Sequence, residues 1–446
     1  MRKYMIIWVG EVASTVGSAL TSFALGVWIY ERTDSVSLLT LNMLMYAVSS
    51  LVVLPLAGVA ADRWNRKFVM VLGDFGVALC SLVVLLLATS GSLQIWHAYI
   101  LTGASGAFGT FQWPAYKAAI PLIVPKEHLA RASALSQVGD GLAELAGPFI
   151  AGALYVMSEV GLKGILLIDF ATFAFSTLIL IIVPIPRHKT AETTAETPAS
   201  VIGDLRLGWQ YIKQRPGLLA LLGYFAVFCF FQEFTYPLSQ PLLFETASPD
   251  AAGAAMSKMA IGMFVGIGIM TIWGGPKRRI HGILIPGILS GLAIALAGLR
   301  PSLTLITIGG FGYFTLLPIA EGSDQALWQT KVEEAMQGRV FAIQSAITVA
   351  VRPITLLLAG PLADHIFEPI MQPDGLLAAS VGQIVGVGPG RGLGLFIVIL
   401  GLLSAITSLA AYLYPHIRHV EQDLPDAQIS VEAPIESRSS YASESI

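Results

Sequence analysis

The sequence predicts an all-α membrane protein with twelve transmembrane helices in two pseudo-symmetric six-helix bundles. Three observations carry that prediction. The 446 residues are 55% apolar and only 12% charged, about half the charge of an ordinary soluble domain. The apolar residues collect in runs of about 20 or more, the length that crosses a bilayer. The two halves of the chain also share a weak repeat. This composition excludes a cytosolic enzyme, a disordered chain and a basic nucleic-acid binder.

Spans are expected at 5–30, 36–60, 68–89, 97–122, 135–157, 163–184, 217–244, 252–275, 281–299, 302–327, 340–363 and 391–414. In lipid each backbone must satisfy its own hydrogen bonds, so such runs are helices. Barrel strands would alternate over about ten residues, and these runs do not. The first run follows Arg2 and Lys3, as a signal peptide would. Its length, Glu11 and the lack of a cleavage site mark it as uncleaved.

Basic residues in the loops set the orientation. With the N-terminus in the cytoplasm, 20 Lys and Arg fall on the cytoplasmic side and 5 on the other, with Arg352 inside a span. Both termini are therefore expected in the cytoplasm, with the protein in the plasma membrane. Residues 187–215 divide the spans six and six, giving bundles at 1–186 and 216–414. The linker begins flexibly, and Asp204 to Gln214 reads as an amphipathic helix on the membrane face. The acidic, Ser- and Pro-containing segment 415–446 reads as a disordered tail.

The repeat lies after spans four and ten. Arg131 precedes Gln137 as Arg339 precedes Gln344, each just ahead of the next span. Repeated halves suit a secondary transporter with a midplane site between them. No Gly-Lys dipeptide occurs, so the ATP-phosphate loop is missing. No cofactor or metal site is expected. Cys80 and Cys229 lie in apolar runs, away from any disulfide framework. His97, His128, His281 and His365 read as interfacial. The alternating glycines from Gly386 to Gly394 lack the spacing and context of a nucleotide loop.

The loop after span two reads Gly58-Val-Ala-Ala-Asp62-Arg63-Trp-Asn-Arg66-Lys67. It resembles the signature loop of the major facilitator superfamily. Gly58 would let two helices approach, and Asp62 could face a helix N-terminus or an arginine. The resemblance implies a latch of Gly58, Asp62, Arg63, Arg66 and Lys67 that joins the halves on the cytoplasmic side. Gly147-Pro148-Phe-Ile-Ala-Gly152 is similar to the glycine–proline motif of drug–proton antiporters. Gly208 to Pro216, Gln337 to Phe341 and Pro114 to Leu135 resemble the branch that holds macrolide efflux and enterobactin export proteins. The implied activity is export of an amphipathic small molecule (a siderophore, macrolide or peptide-like metabolite) in exchange for protons. Importer and non-transporting receptor or assembly protein stand as alternatives. The bilayer, the substrate and protons are the expected partners, with no nucleic acid and a monomer favoured.

Ionisable residues within spans are functional candidates because burying a charge in lipid costs several kcal/mol. Glu11 lies about 9 Å into span one, and Ser14, Thr15, Ser18 and Ser22 are expected to share its face. Glu233 lies about 24 Å into span seven among aromatics, a setting suited to taking up and releasing a proton. Arg352, about 18 Å into span eleven, needs a carboxylate, with Glu233 or Glu11 available. Glu144 completes the proton-coupling candidates, while Asp140 below it reads as a helix-dipole residue. Gln112, Trp113, Phe230, Phe234, Tyr236, Gln325 and Trp328 are cavity candidates with Ser14 and Ser18. In the superfamily, spans one, four, seven and ten line the cavity.

Overall fold

The structure is a computed structural model that describes residues 1–184 and 201–426. The first bundle comprises α1 (Arg2–Thr33), α2 (Val36–Arg63), α3 (Arg66–Thr89), α4 (Ile95–Ile123), α5 (Leu129–Val156) and α6 (Gly161–Ile182). A 13-residue helix, α7 (Val201–Lys213), leads to the second bundle. That bundle comprises α8 (Pro216–Thr246), α9 (Pro249–Trp273), α10 (Arg279–Leu299), α11 (Leu303–Lys331) and α12 (Glu334–Leu362). The short α13 (Glu368–Ile370) and α14 (Gly382–Val385) precede its last long helix, α15 (Arg391–Leu413). Two further short helices follow, α16 (Pro415–Arg418) and α17 (Val420–Asp423).

Ten of the described helices are long and apolar enough to cross a membrane. Helices α4 and α5, at 29 and 28 residues, are also of spanning length. They carry polar groups such as Gln112, Lys117, Asp140 and Glu144. Turns between spans are tight and capped locally. Asp34 takes the left-handed conformation at φ 49° and Ser35 then caps α2. Asn65 caps α3 in the same way.

Packing within the halves repeats. Helix α1 packs on α5 and α6, α2 on α4, and α3 on α4 and α6. In the second half α8 packs on α12 and α15, α9 on α11, and α10 on α11 and α15. The two main interfaces between halves, α5 with α9 and α2 with α12, are equivalent under the same correspondence.

The bundle has a terminal face, where α1 begins and α6 ends, and a far face opposite. On the far face one apolar core runs across both halves, joining Phe23, Trp28 and Leu39 to Leu238, Leu242 and Phe396. Toward the terminal face there are two separate cores. One holds Tyr4, Met70, Tyr116 and Leu180, and the other Leu218, Trp328, Val340 and Ile417. The halves therefore converge on the far face and part toward the terminal face.

Residues 415–426 differ from the expected disordered tail. Glu421 accepts hydrogen bonds from the backbone N–H groups of Arg279 and Ile280 at 2.9 and 3.0 Å, capping α10. The buried Lys331 ammonium donates to the Glu421 and Leu424 carbonyls and to Asp426. The Glu421 carboxylate thus satisfies a helix start that lacks a side-chain cap of its own, and Lys331 holds the segment that carries it. The expected flexible start of the linker and the rest of the tail, 427–446, lie outside the described residues.

Candidate functional site

The site begins with polar side chains on three helices of the first half. Glu11 and Thr15 on α1, Gln112, Trp113 and Tyr116 on α4, and Asp140 on α5 line a cavity of about 90 Å³ together with Trp8. The Gln112 amide donates to Glu11 Oε2 at 2.7 Å. Glu11 Oε1 is shielded and has no hydrogen-bond partner among the described residues. Trp8 is fixed by its indole N–H, which donates to the Leu135 carbonyl at 2.8 Å. The Lys117 ammonium stands over the Trp113 ring, 4.2 Å from its centroid.

The second half contributes an ion pair. Arg352 Nε on α12 lies 3.4 Å from Glu233 Oε2 on α8. Of the two acids the sequence offered Arg352, the structure pairs it with Glu233. Its guanidinium also lies 5.6 Å from the Tyr236 ring centroid. The Tyr236 side chain is 55% exposed, so this group fronts open space. Glu144 is exposed on α5, one turn from Asp140. Glu321 and Gln325 are exposed four residues apart on α11, hence on one face.

Several expected cavity residues lie elsewhere. Ser14 is buried and donates to the Glu11 carbonyl at 3.0 Å. It falls on the stripe of α1 where Gly10 and Gly17 meet Ser176, Asp169 and Thr172 of α6. Thr15, one position on, takes the cavity place. Ser18 is half-buried. Phe234 is buried, edge-on to Phe230 and Phe396. Trp328 has no exposed surface, and its N–H donates to Asp324 at 3.1 Å. Both aromatics satisfy the apolar core before any cavity.

Arg66 and Lys67, expected in the latch, bond within the first half. Arg66 donates to the Ala118 carbonyl of α4, and Lys67 to the carbonyls of Ile181 and Val183. Gly58 mediates no close approach here, because a Cβ there would meet nothing within 4 Å. The side chains of Asp62 and Arg63 lie outside the described residues. The glycine–proline segment is a packing seam. A Cβ on Gly147 would strike Ala19 of α1, and one on Gly152 would strike the Pro249 carbonyl of α9. The Pro148 carbonyl in turn fills the space beside Gly253.

The far-face closure was not visible in the sequence. Asp364 lies in a π-helical turn, Ala363–Phe367, that continues α12. It accepts from Ser35 Oγ at 2.7 Å, Val36 N at 3.0 Å and Ser37 N at 2.9 Å, at the start of α2. Tyr30 Oη on α1 donates to Glu245 on α8 at 2.7 Å. The start of a helix invites a carboxylate, but a partner 329 positions away leaves no local signal.

Comparison with known proteins agrees with this architecture. A family model described as Major Facilitator Superfamily matches residues 7–356. Macrolide efflux protein A of Streptococcus pyogenes is 27% identical over 375 residues, covering 82% of this chain and 90% of that protein. Enterobactin exporter EntS of Escherichia coli O9:H4 (strain HS) is 26% identical over 442 residues, covering 96% and 95%. Among solved structures, a bacterial homolog of the human lysosomal transporter Spinster, inward-facing and unoccupied, superposes with a TM-score of 0.68 at 14% identity, covering 95% of this chain and 98% of that one. Nucleoside transporter NupG gives 0.67 at 13% identity, covering 93% and 100%. Helices repeated in two halves, cores that separate toward the terminal face and a family match across most of the sequence lead to one conclusion: the chain belongs to the Major Facilitator Superfamily and is a multi-pass membrane transporter.

Proposed function

We propose that the chain exports an amphipathic small molecule across the plasma membrane in exchange for protons, with both termini in the cytoplasm. The observation that carries the reading is the change from one shared core on the far face to two separate cores on the terminal face. It describes one end state of alternating access, closed outside and open to the cytoplasm once the basic terminal face is placed inside. Export is supported by the similarity to macrolide efflux protein A and enterobactin exporter EntS. Glu11 and the Glu233–Arg352 pair front the pathway from opposite halves, and either carboxylate can take up a proton as the halves exchange partners. Gly58, Asp62, Arg63, Arg66 and Lys67 would then close the cytoplasmic side in the other end state.

The test is accumulation in efflux-deficient cells expressing the chain, with macrolides, cationic dyes and siderophores offered in turn. Lower accumulation that an uncoupler restores is the expected result. Higher accumulation driven by the same gradient would instead assign import. An unchanged panel, with the protein present in the membrane, would overturn broad efflux.

A further inference from the structure

We propose that a groove between α9 and α11, on the outer surface of the second half, holds the phosphate of an anionic lipid from the far-face leaflet. The site is independent of what the protein transports and in which direction.

Its centre is Lys258. Helix α9 starts at Pro249 on the far face, so Lys258 lies about 14 Å along it. Two sides of α9 are covered by protein. Toward α5, the Pro148 carbonyl fills the space beside Gly253, and the Ser257 hydroxyl donates to the Leu145 carbonyl. Toward α11, Gly262 and Gly266 lie against Phe311 and Thr315. Lys258 falls between these two contacts, on the side of the exposed Ile261 and Val265. Exposed apolar side chains on a spanning helix face lipid. An ammonium among them is costly unless a counter-charge or the headgroup region receives it. Among the described residues no acid pairs with Lys258. Asp250, at the start of the same helix, is about 12 Å away along the axis.

Beside Lys258 the two helices leave a cavity of about 180 Å³. Ala251 and Ala255 make the room, and no carboxylate lines it among the described residues. The opposite wall supplies donors. Thr304 is exposed, and its hydroxyl has no partner among the described residues. It also stands in the first turn of the 29-residue α11, where backbone N–H groups lack helical acceptors and favour an anion. The groove thus brings together an ammonium, a hydroxyl and the positive end of a helix. Toward the middle of the membrane it continues as the exposed Ile261, Ile308 and Phe311. A lipid with its headgroup toward the far face has this same order of polar and apolar parts, whereas a free phosphate would leave the apolar strip unused. Because Lys258 is unpaired, a headgroup with net negative charge fits better than one that carries its own cation.

The experiment offers the purified full chain phosphatidylglycerol or phosphatidylcholine with the same acyl chains, and native mass spectrometry counts the bound lipid. Phosphatidylglycerol should bind about five-fold more tightly, the scale of one lysine facing an anionic headgroup. Lys258→Gln should abolish that preference and Lys258→Arg should keep it, which separates loss of charge from a folding defect. Thr304→Val should weaken phosphatidylglycerol several-fold. Lys163→Gln, at an exposed lysine near the start of α6, should leave the preference intact. Soluble glycerol 3-phosphate, a headgroup without chains, should not compete. Equal binding of the two lipids, a preference that survives Lys258→Gln, an equal loss in Lys163→Gln, or competition by glycerol 3-phosphate would overturn the proposal.

Discussion

Arg352 Nε lies 3.4 Å from Glu233 Oε2, and both residues belong to the second bundle. The pair therefore travels with its bundle and leaves the distance between the halves free. A Cys229 thiol to Thr348 hydroxyl contact at 3.7 Å ties the same two helices one turn away. Half of the Arg352 side chain is exposed, so the pair adds about 1 kcal/mol or less to stability. Under the proposed function its value lies in the charge it presents to the pathway.

Glu233→Gln is accordingly expected to leave thermal stability nearly unchanged while uncoupler-sensitive efflux falls at least ten-fold. Arg352→Ala should behave similarly. Efflux by both variants that keeps its response to an imposed proton gradient would remove this pair from coupling. The measurement is initial efflux rate in vesicles at several external pH values, beside melting of the purified variants.

Asp364 holds the start of α2 through three hydrogen bonds from the opposite bundle. Hydrogen bonds to a charged group contribute about 1.5–3 kcal/mol each when well made. Asp364→Ala should therefore move the balance toward an open far face by about ten-fold or more, a shift of roughly 1.4 kcal/mol. A cysteine at the buried Thr40, in a chain whose Cys80 and Cys229 are serine, would report it through faster labelling from the far side. Unchanged labelling would mean that the carboxylate does not hold the gate.

Two glycines should respond in opposite ways. A Cβ at Gly253 would strike the Pro148 carbonyl, whereas one at Gly58 meets open space. Gly253→Val should destabilise the protein by about 1–3 kcal/mol, through overpacking at the seam of α5 and α9. Gly58→Val should leave melting unchanged yet abolish efflux, because the resemblance places this glycine in a close contact of the other end state. Normal efflux by Gly58→Val would remove that contact from the cycle.

Asp169 and Ser81 form a buried bond of 2.7 Å between α6 and α3, within a bundle and away from the cavity. Ser81→Ala should lower stability by about 1–2 kcal/mol, in line with hydrogen bonds between membrane helices. Uncoupler-sensitive efflux should be unaffected. An altered efflux profile in this variant would show that the α3–α6 contact shapes the site.

The membrane class could be read in the sequence, because it rests on local pattern, and so could Glu233 as the acid nearest Arg352 in depth. The face that each residue presents was less legible. Ser14 and Thr15 are neighbours, yet one faces α6 and the other the cavity, a difference of about 100° that helical spacing alone assigned too loosely. Phe234 and Trp328 look like ligand aromatics and serve as core. Asp140 read as a helix-end charge and lines the cavity. The closure of Asp364 on Ser35 depends on how two bundles meet, a relation that short-range periodicity does not record.

The shared apolar core of the far face also carries a thermal consequence. Phe23 meets Phe244 edge-on across the halves at 5.6 Å, and parting them would expose such surfaces to a water-filled vestibule. Exposing apolar surface raises heat capacity, and its burial becomes less favourable on cooling. Chilling therefore loosens the far-face joint relative to the polar bonds beside it. Structures captured cold would over-represent the state with the far face open compared with the protein at its working temperature.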